Sequence, residues 1–174
     1  DADGLLWIGT NVGVYIYNPE TENFRKFDVA TERGDVISRE VSSIKCDSSG
    51  DLWIGVNWQG VFRYDRRDES LELYEPVPGD TTSLSSVHVW DLCFDGDGNL
   101  WVGSQNGGLD RYDRETDRFV RHRLKGLSDV SRIVLDKQNQ LLLGTMKDGL
   151  FSFNPYMGTC QPLLLDSGHK DLFV

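Results

Sequence analysis

The stretch DGDGNLWVG, residues 95–103, places Asp95, Asp97 and Asn99 on alternate positions, the donor spacing that opens a calcium-binding loop. Such a loop also needs glycine at its sixth position and glutamate at its twelfth. Counted from Asp95, those positions hold Leu100 and Asn106. The related stretch at Asp47 continues with Ser48 and Ser49, and the one at Asp136 has no second acid. A turn explains these residues better than a metal: an aspartate carboxylate accepts backbone N–H groups across a tight hairpin, and the glycine after it takes a left-handed backbone. The other chemistry-bearing residues form no set. His88, His122 and His169 fall at unrelated places, and no G-x-S-x-G elbow occurs, so no catalytic residue, metal ligand or cofactor is assigned. Cys46, Cys93 and Cys160 make an odd number without C-x-x-C and sit in apolar runs; all three are expected as small buried side chains.

What positions these residues is a repeat. DADGLLWIG begins at Asp1, DSSGDLWIG at Asp47, DGDGNLWVG at Asp95 and DKQNQLLLG at Asp136. The large apolar residue of the motif is Trp7, Trp53, Trp101 and then Leu142, at spacings of 46, 48 and 41. Gly4, Gly50 and Gly98 fill the left-handed slot, and Asn139 fills it in the last copy, asparagine being tolerant of that conformation. Each copy continues through GVYIYN, GVFRYD, GLDRYD or GLFSFN to an Asx turn and a further short run. All runs are strand-sized and rich in Val, Ile, Trp, Tyr and Phe, and none holds a helical period. Four short antiparallel strands in about 45 residues are a β-propeller blade. The chain therefore reads as all-β, a fragment of about four four-stranded antiparallel blades spanning 1–174. The units run from about 1–46, 47–94, 95–135 and 136–174, and the tryptophans are expected to wedge between blades. The first blade lacks its inner strand, and KDLFV at the end is a candidate to pair back onto it.

Residues that break such a period are the candidates for function. Trp58, flanked by Asn57 and Gln59 in VNWQG, lies in the loop between the second and third strands. An aromatic ring there can stack on the apolar face of a sugar while the amides meet hydroxyls. Trp90 lies on an inner strand where the other copies have Ser42 and Ser131, with His88 and Asp91 beside it. Gln105 and Asn106 occupy the loop equivalent to Asn57–Trp58–Gln59.

The combination D-x-x-G-x-L-W-[IV]-G-[TS], then G-[LV]-x-x-[YF]-[DN], then T-x-x-F resembles the two-component regulator propeller repeat. The resemblance covers nearly the whole chain in four units. It implies an arc of a seven-bladed ring in the periplasmic sensor region of a Bacteroides-type hybrid two-component protein, binding glycan breakdown products. Further blades, a β-sandwich domain, a membrane helix and a histidine kinase are its implied neighbours, with a homodimer as a possible assembly. A lyase built on a propeller and working through His88 and Asp91, or a purely structural arc, are the alternatives.

Composition fits this reading. With 18 Lys and Arg against 28 Asp and Glu, the formal charge is −10, which disfavours a nucleic-acid surface. No apolar run is long enough to cross a membrane as a helix.

Overall fold

The computed structural model describes Asp1 and residues 3–163; KDLFV lies outside the described residues. Fifteen strands fall into four antiparallel sheets, with no helix among the described residues. The first sheet has three strands, β1 (Leu6–Thr10), β2 (Gly13–Asn18) and β3 (Asn23–Lys26). The second has β4 (Val41–Cys46), β5 (Leu52–Val56), β6 (Gly60–Asp65) and β7 (Ser70–Tyr74). The third has β8 (Val89–Phe94), β9 (Leu100–Ser104), β10 (Gly108–Asp113) and β11 (Arg118–His122). The fourth has β12 (Arg132–Leu135), β13 (Leu141–Gly144), β14 (Leu150–Asn154) and β15 (Thr159–Pro162). Each sheet is a meander, and the inner strands β4, β8 and β12 lie side by side, which is the blade order of a β-propeller. The sequence units and the sheets are out of phase by one strand: each of the first three units starts at an Asp turn and ends with the inner strand of the next sheet.

The Asp turn works as local chemistry demands. Asp47 Oδ1 accepts the N–H groups of Ser49 and Asp51 at 2.8 and 3.1 Å. Asp1, Asp95 and Asp136 accept the corresponding pairs. Asn139 has φ 59°, in line with Gly4, Gly50 and Gly98. The second carboxylate oxygen takes the indole N–H of the following tryptophan, at 2.6 Å for Trp7, 3.2 Å for Trp53 and 2.8 Å for Trp101. One aspartate thus closes the hairpin and orients the wedge. Asp95 also accepts Asn99 Nδ2, so both of its oxygens are occupied by donors that a calcium ion would have to displace.

The wedges fill the junctions between sheets. Trp7 meets Tyr64 of the second sheet, Trp53 meets Tyr112 of the third, and Trp101 meets Phe153 of the fourth, at ring separations of 5.8, 4.6 and 5.2 Å. Arginines reinforce two junctions from the far side: Arg66 bonds Asp3 and lies 3.5 Å from Asp1, and Arg114 reaches Asp47 Oδ2 at 2.9 Å. Burial acts to raise the Asp47 carboxyl, but the bonds from Arg114, Trp53, Ser49 and Asp51 outweigh it and hold the group below the ordinary carboxylate range. In the fourth sheet Pro155 stands where Arg66 and Arg114 stand. There the link runs instead from the Gly96 N–H to Asn139 Oδ1 at 2.7 Å.

One expectation changes. Of the cysteines only Cys93 is buried; Cys46 is exposed and Cys160 half-buried, because Cys46 ends its strand beside the Asp47 turn and Cys160 lies on the outermost strand of the fourth sheet. And one motif has two fates. The LWIG of β5 is buried on both faces, whereas in β1 Leu6 is 52% exposed against 2% for Leu52, and Ile8 38% against 0% for Ile54. Among the described residues the second sheet is covered by sheets on both sides, and the first on one side only. Phe24 adds to this apolar face, which is of the kind that drives association. Replacing Leu6, Ile8 and Phe24 together by threonine is expected to weaken concentration-dependent self-association of the chain, read by sedimentation velocity.

Candidate functional site

In each sheet the Asp turn and the Asx turn share one end, while the loop between second and third strands and the connection to the next sheet share the other. The scaffold carboxylates thus gather at one end, and the repeat-breaking residues at the opposite one.

Trp58 occupies the β5–β6 turn with φ 67°, a left-handed conformation that is costly for a bulky side chain. Its ring is 61% exposed. The His88 ring, one residue before β8, stands edge-on to it, with centroids 3.9 Å apart and planes at 76°. Asn57 joins the two: its Oδ1 lies 3.3 Å from His88 Nδ1, and the two residues form a β-bridge. With the proton on Nδ1, His88 donates to Asn57. The Asn57 amide nitrogen in turn reaches Glu40 Oε2 at 3.3 Å, and its backbone N–H bonds the Glu40 carbonyl at 2.8 Å. Asn57, Trp58 and His88 therefore form one cluster held from two strands and a connection.

The other candidates are placed differently. Gln59 spends its amide on the chain itself, accepting the Ser38 N–H and donating to the Val36 carbonyl at 3.2 and 3.0 Å. It pins the β3–β4 connection with its oxygen and one amide N–H. Gln105 and Asn106 lie on the neighbouring turn, both exposed. The Gln105 N–H bonds the His88 carbonyl at 3.0 Å, and Asn106, φ 57°, is the counterpart of Trp58. Trp90 stands apart from the cluster: it is the extra residue of a β-bulge in β8, as Ser42 is in β4, and its carbonyl accepts from Arg132 Nη1 at 3.3 Å. Ser42 uses its hydroxyl to bond the Val89 and Gly55 carbonyls. Trp90, having no such hydroxyl, is half-buried on the inner strand. Asp91 gives its two oxygens to the N–H groups of Leu92 and Ile133 at 2.9 and 3.0 Å; it ties the third sheet to the fourth and does not face His88 as an acid–base partner.

One residue that the sequence reading passed over stands out. Asp110 of β10 is fully buried, in the register that Tyr15, Phe62 and Phe151 hold in the other sheets. Its Oδ2 accepts both the N–H and the hydroxyl of Ser85, at 2.9 and 2.6 Å, and its Oδ1 has no partner. Burial pushes its carboxyl up to about 6, against the weaker pull of Ser85 and Arg121. Ser85 lies three residues before His88, so this carboxylate anchors the connection that presents the cluster. The signal was legible as GLDRYD beside GVFRYD and GLFSFN: an acid in an aromatic slot.

The family model described as two component regulator propeller matches residues 83–106, the segment carrying His88, Trp90 and Gln105. No curated protein sequence matches the chain. Among solved structures the chain is similar to the extracellular domain of a putative hybrid two-component system from Bacteroides thetaiotaomicron, at 24% identity and TM-score 0.77, covering 91% of this chain and 22% of that one. A second such domain from the same organism gives 22% identity and TM-score 0.79, covering 96% and 24%. Virginiamycin B lyase from Staphylococcus aureus shares the fold at 14% identity and TM-score 0.73, covering 97% and 54%. The chain thus spans less than a quarter of the two-component domains it matches. Residues 83–106 match the two-component regulator propeller model, and the chain shares the propeller fold of these solved domains.

Proposed function

We propose that the chain is part of the periplasmic sensor region of a hybrid two-component signalling protein, and that it binds glycan breakdown products at the end of the sheets carrying Trp58. The observation that carries this reading is Trp58 itself: an exposed indole, held in a left-handed turn and braced by His88 and Asn57. A strained, rigid aromatic platform is well suited to stacking on a sugar ring. The repeat match and the fold of the extracellular relatives support the sensor setting, and the uncovered apolar face of the first sheet supports packing against further blades. Signalling would follow from differential affinity: a glycan that binds one arrangement of propellers, sensor domains or dimer better than another shifts the population the kinase reports.

A lyase working through His88 and Asp91 loses its support, since both Asp91 oxygens are taken by backbone N–H groups. Calorimetry against a panel of oligosaccharides tests the sensor reading. Trp58→Ala is expected to weaken binding at least about tenfold, the order of one good stacking contact, while leaving the thermal midpoint nearly unchanged. An unaltered affinity in this variant would remove the site from the proposal.

A further inference from the structure

Beside the Trp58 cluster, at the same end of the sheets, lies a cleft of about 460 Å³ between β11, the β9–β10 turn and the connection to the fourth sheet. It is within the size range of small-ligand sites. Its lining includes Asn106, Gly107, Arg121, Arg123, Leu124 and Ser128, with no carboxylate. By contrast, the two clefts on the outer side of the second and third sheets hold Glu75, Asp80 and Asp117, or Glu32, Asp68, Glu72 and Asp117.

Two breaks in the repeat mark it. In the second sheet the β5–β6 turn ends on Gln59, whose side chain bonds Val36 and Ser38. The counterpart in the third sheet is Gly107, where a Cβ would come within 2.3 Å of both the Ser85 and Ser104 hydroxyls, so this turn sends no side chain over the cleft. Arg123 reverses a charge. The register that pairs Tyr74 with Val61 and His122 with Leu109 makes Glu75 and Arg123 equivalent, and Asp28 follows Phe27 in the first sheet in the same way. Arg123 is exposed and has no ion pair among the described residues. Arg121 beside it is fixed through Nε and Nη2 to the carbonyls of Asp80, Ser83 and Leu84 at 3.0–3.1 Å, which leaves its Nη1 without a bond among the described residues.

We propose that this cleft is a subsite for the carboxylate of a uronic-acid residue, so that the ligand is an acidic oligosaccharide; this rests on the sensor reading above and names its substrate class. Guanidinium groups suit a planar carboxylate through paired N–H donors. Leu124 and Leu127 offer an apolar wall to the ring, and Asn106 and Ser128 offer polar groups to its hydroxyls. The Gln105–His88 bond joins the cleft to Trp58, so one oligosaccharide can stack at one place and place its charge at the other.

The test pairs each of a panel of uronic-acid oligomers with its methyl ester, which removes the charge and keeps the sugar, and reads affinity by calorimetry on the whole chain. At least one acid is expected to bind about tenfold tighter than its ester, with the preference fading at about 0.5 M salt. Arg123→Gln should abolish the preference and Arg123→Glu, the charge found at Glu75, should invert it, the acids losing more affinity than their esters in both variants. Equal binding of every acid and its ester, or the same loss for both in the Arg123 variants, overturns this inference. If neutral sugars then still bind in a Trp58-dependent way, the sensor reading survives alone; if no sugar of either kind binds, both fall.

Discussion

Trp53→Ala is expected to destabilise the chain by about 3–5 kcal/mol, the range for truncating a buried tryptophan. Three losses act together. The ring is fully buried between the second and third sheets, against Tyr74 at 5.8 Å and Tyr112 at 4.6 Å. Its N–H is one of the donors that keep the Asp47 carboxylate satisfied out of water, and removing a donor from a buried charge costs more than the bond's net worth. The Arg63 guanidinium lies 5.6 Å from the ring and bonds Asp51, so the cavity also undercuts a buried ion pair. Trp7→Ala is expected to cost much less, since Trp7 is only partly buried in the junction of the first and second sheets. Urea unfolding of the two variants checks this. Equal costs would show that the tryptophans are not wedges whose worth is set by the sheets that enclose them.

That contrast marks where sequence stops being informative. The turn chemistry is local: an aspartate, a residue able to take positive φ two or three places on, and an apolar run suffice to define the hairpin, so Asn139 was readable as a stand-in for glycine, and so was the short first sheet. Burial is not local. Leu6 and Leu52 sit in the same tetrapeptide and differ because one has a sheet on each side, and Cys46 is exposed through its place at a strand end. The candidate site was legible to the extent that it broke the period. Trp58 and His88 meet as their odd placement suggested. Gln59 and Asp91 looked equally available, yet Gln59 bonds backbone groups 21 and 23 residues away, and Asp91 bonds the N–H groups of the adjacent Leu92 and of Ile133, 42 residues away, a matter of register that composition cannot reveal. Asp110 and Arg123 broke the period too, but a difference between copies points to function only once its burial or its neighbours are known.

Asp110 carries the second large expected effect, and its sign is opposite to that of Asp47, Asp68, Asp80 and Asp113. Its folded-state pKa of about 6 lies above the ordinary value of 3.8, so the folded chain holds the proton more tightly than the unfolded one. Below the ordinary value both states are protonated and the group is neutral in its effect. As pH rises from there through about 6, the folded state must ionise a buried group, and stability is lost; above that pH the full cost, about 3 kcal/mol for a shift of this size, is present. Asp47 and Asp113, held below the ordinary range, act the other way and lose their contribution only as pH falls through their lowered values. Asp110→Asn keeps an oxygen for the Ser85 N–H and hydroxyl and removes the charge. The variant is therefore expected to be more stable than the parent near neutrality, with an advantage about 2 kcal/mol larger at about pH 7.5 than at about pH 4.5. Urea unfolding at the two pH values measures it. An advantage that does not change with pH would mean that Asp110 ionises as an ordinary surface acid does. A pH-dependent one would show that the fold keeps a charge at a place where three sister sheets keep an aromatic ring, in the strand that anchors the segment leading to His88.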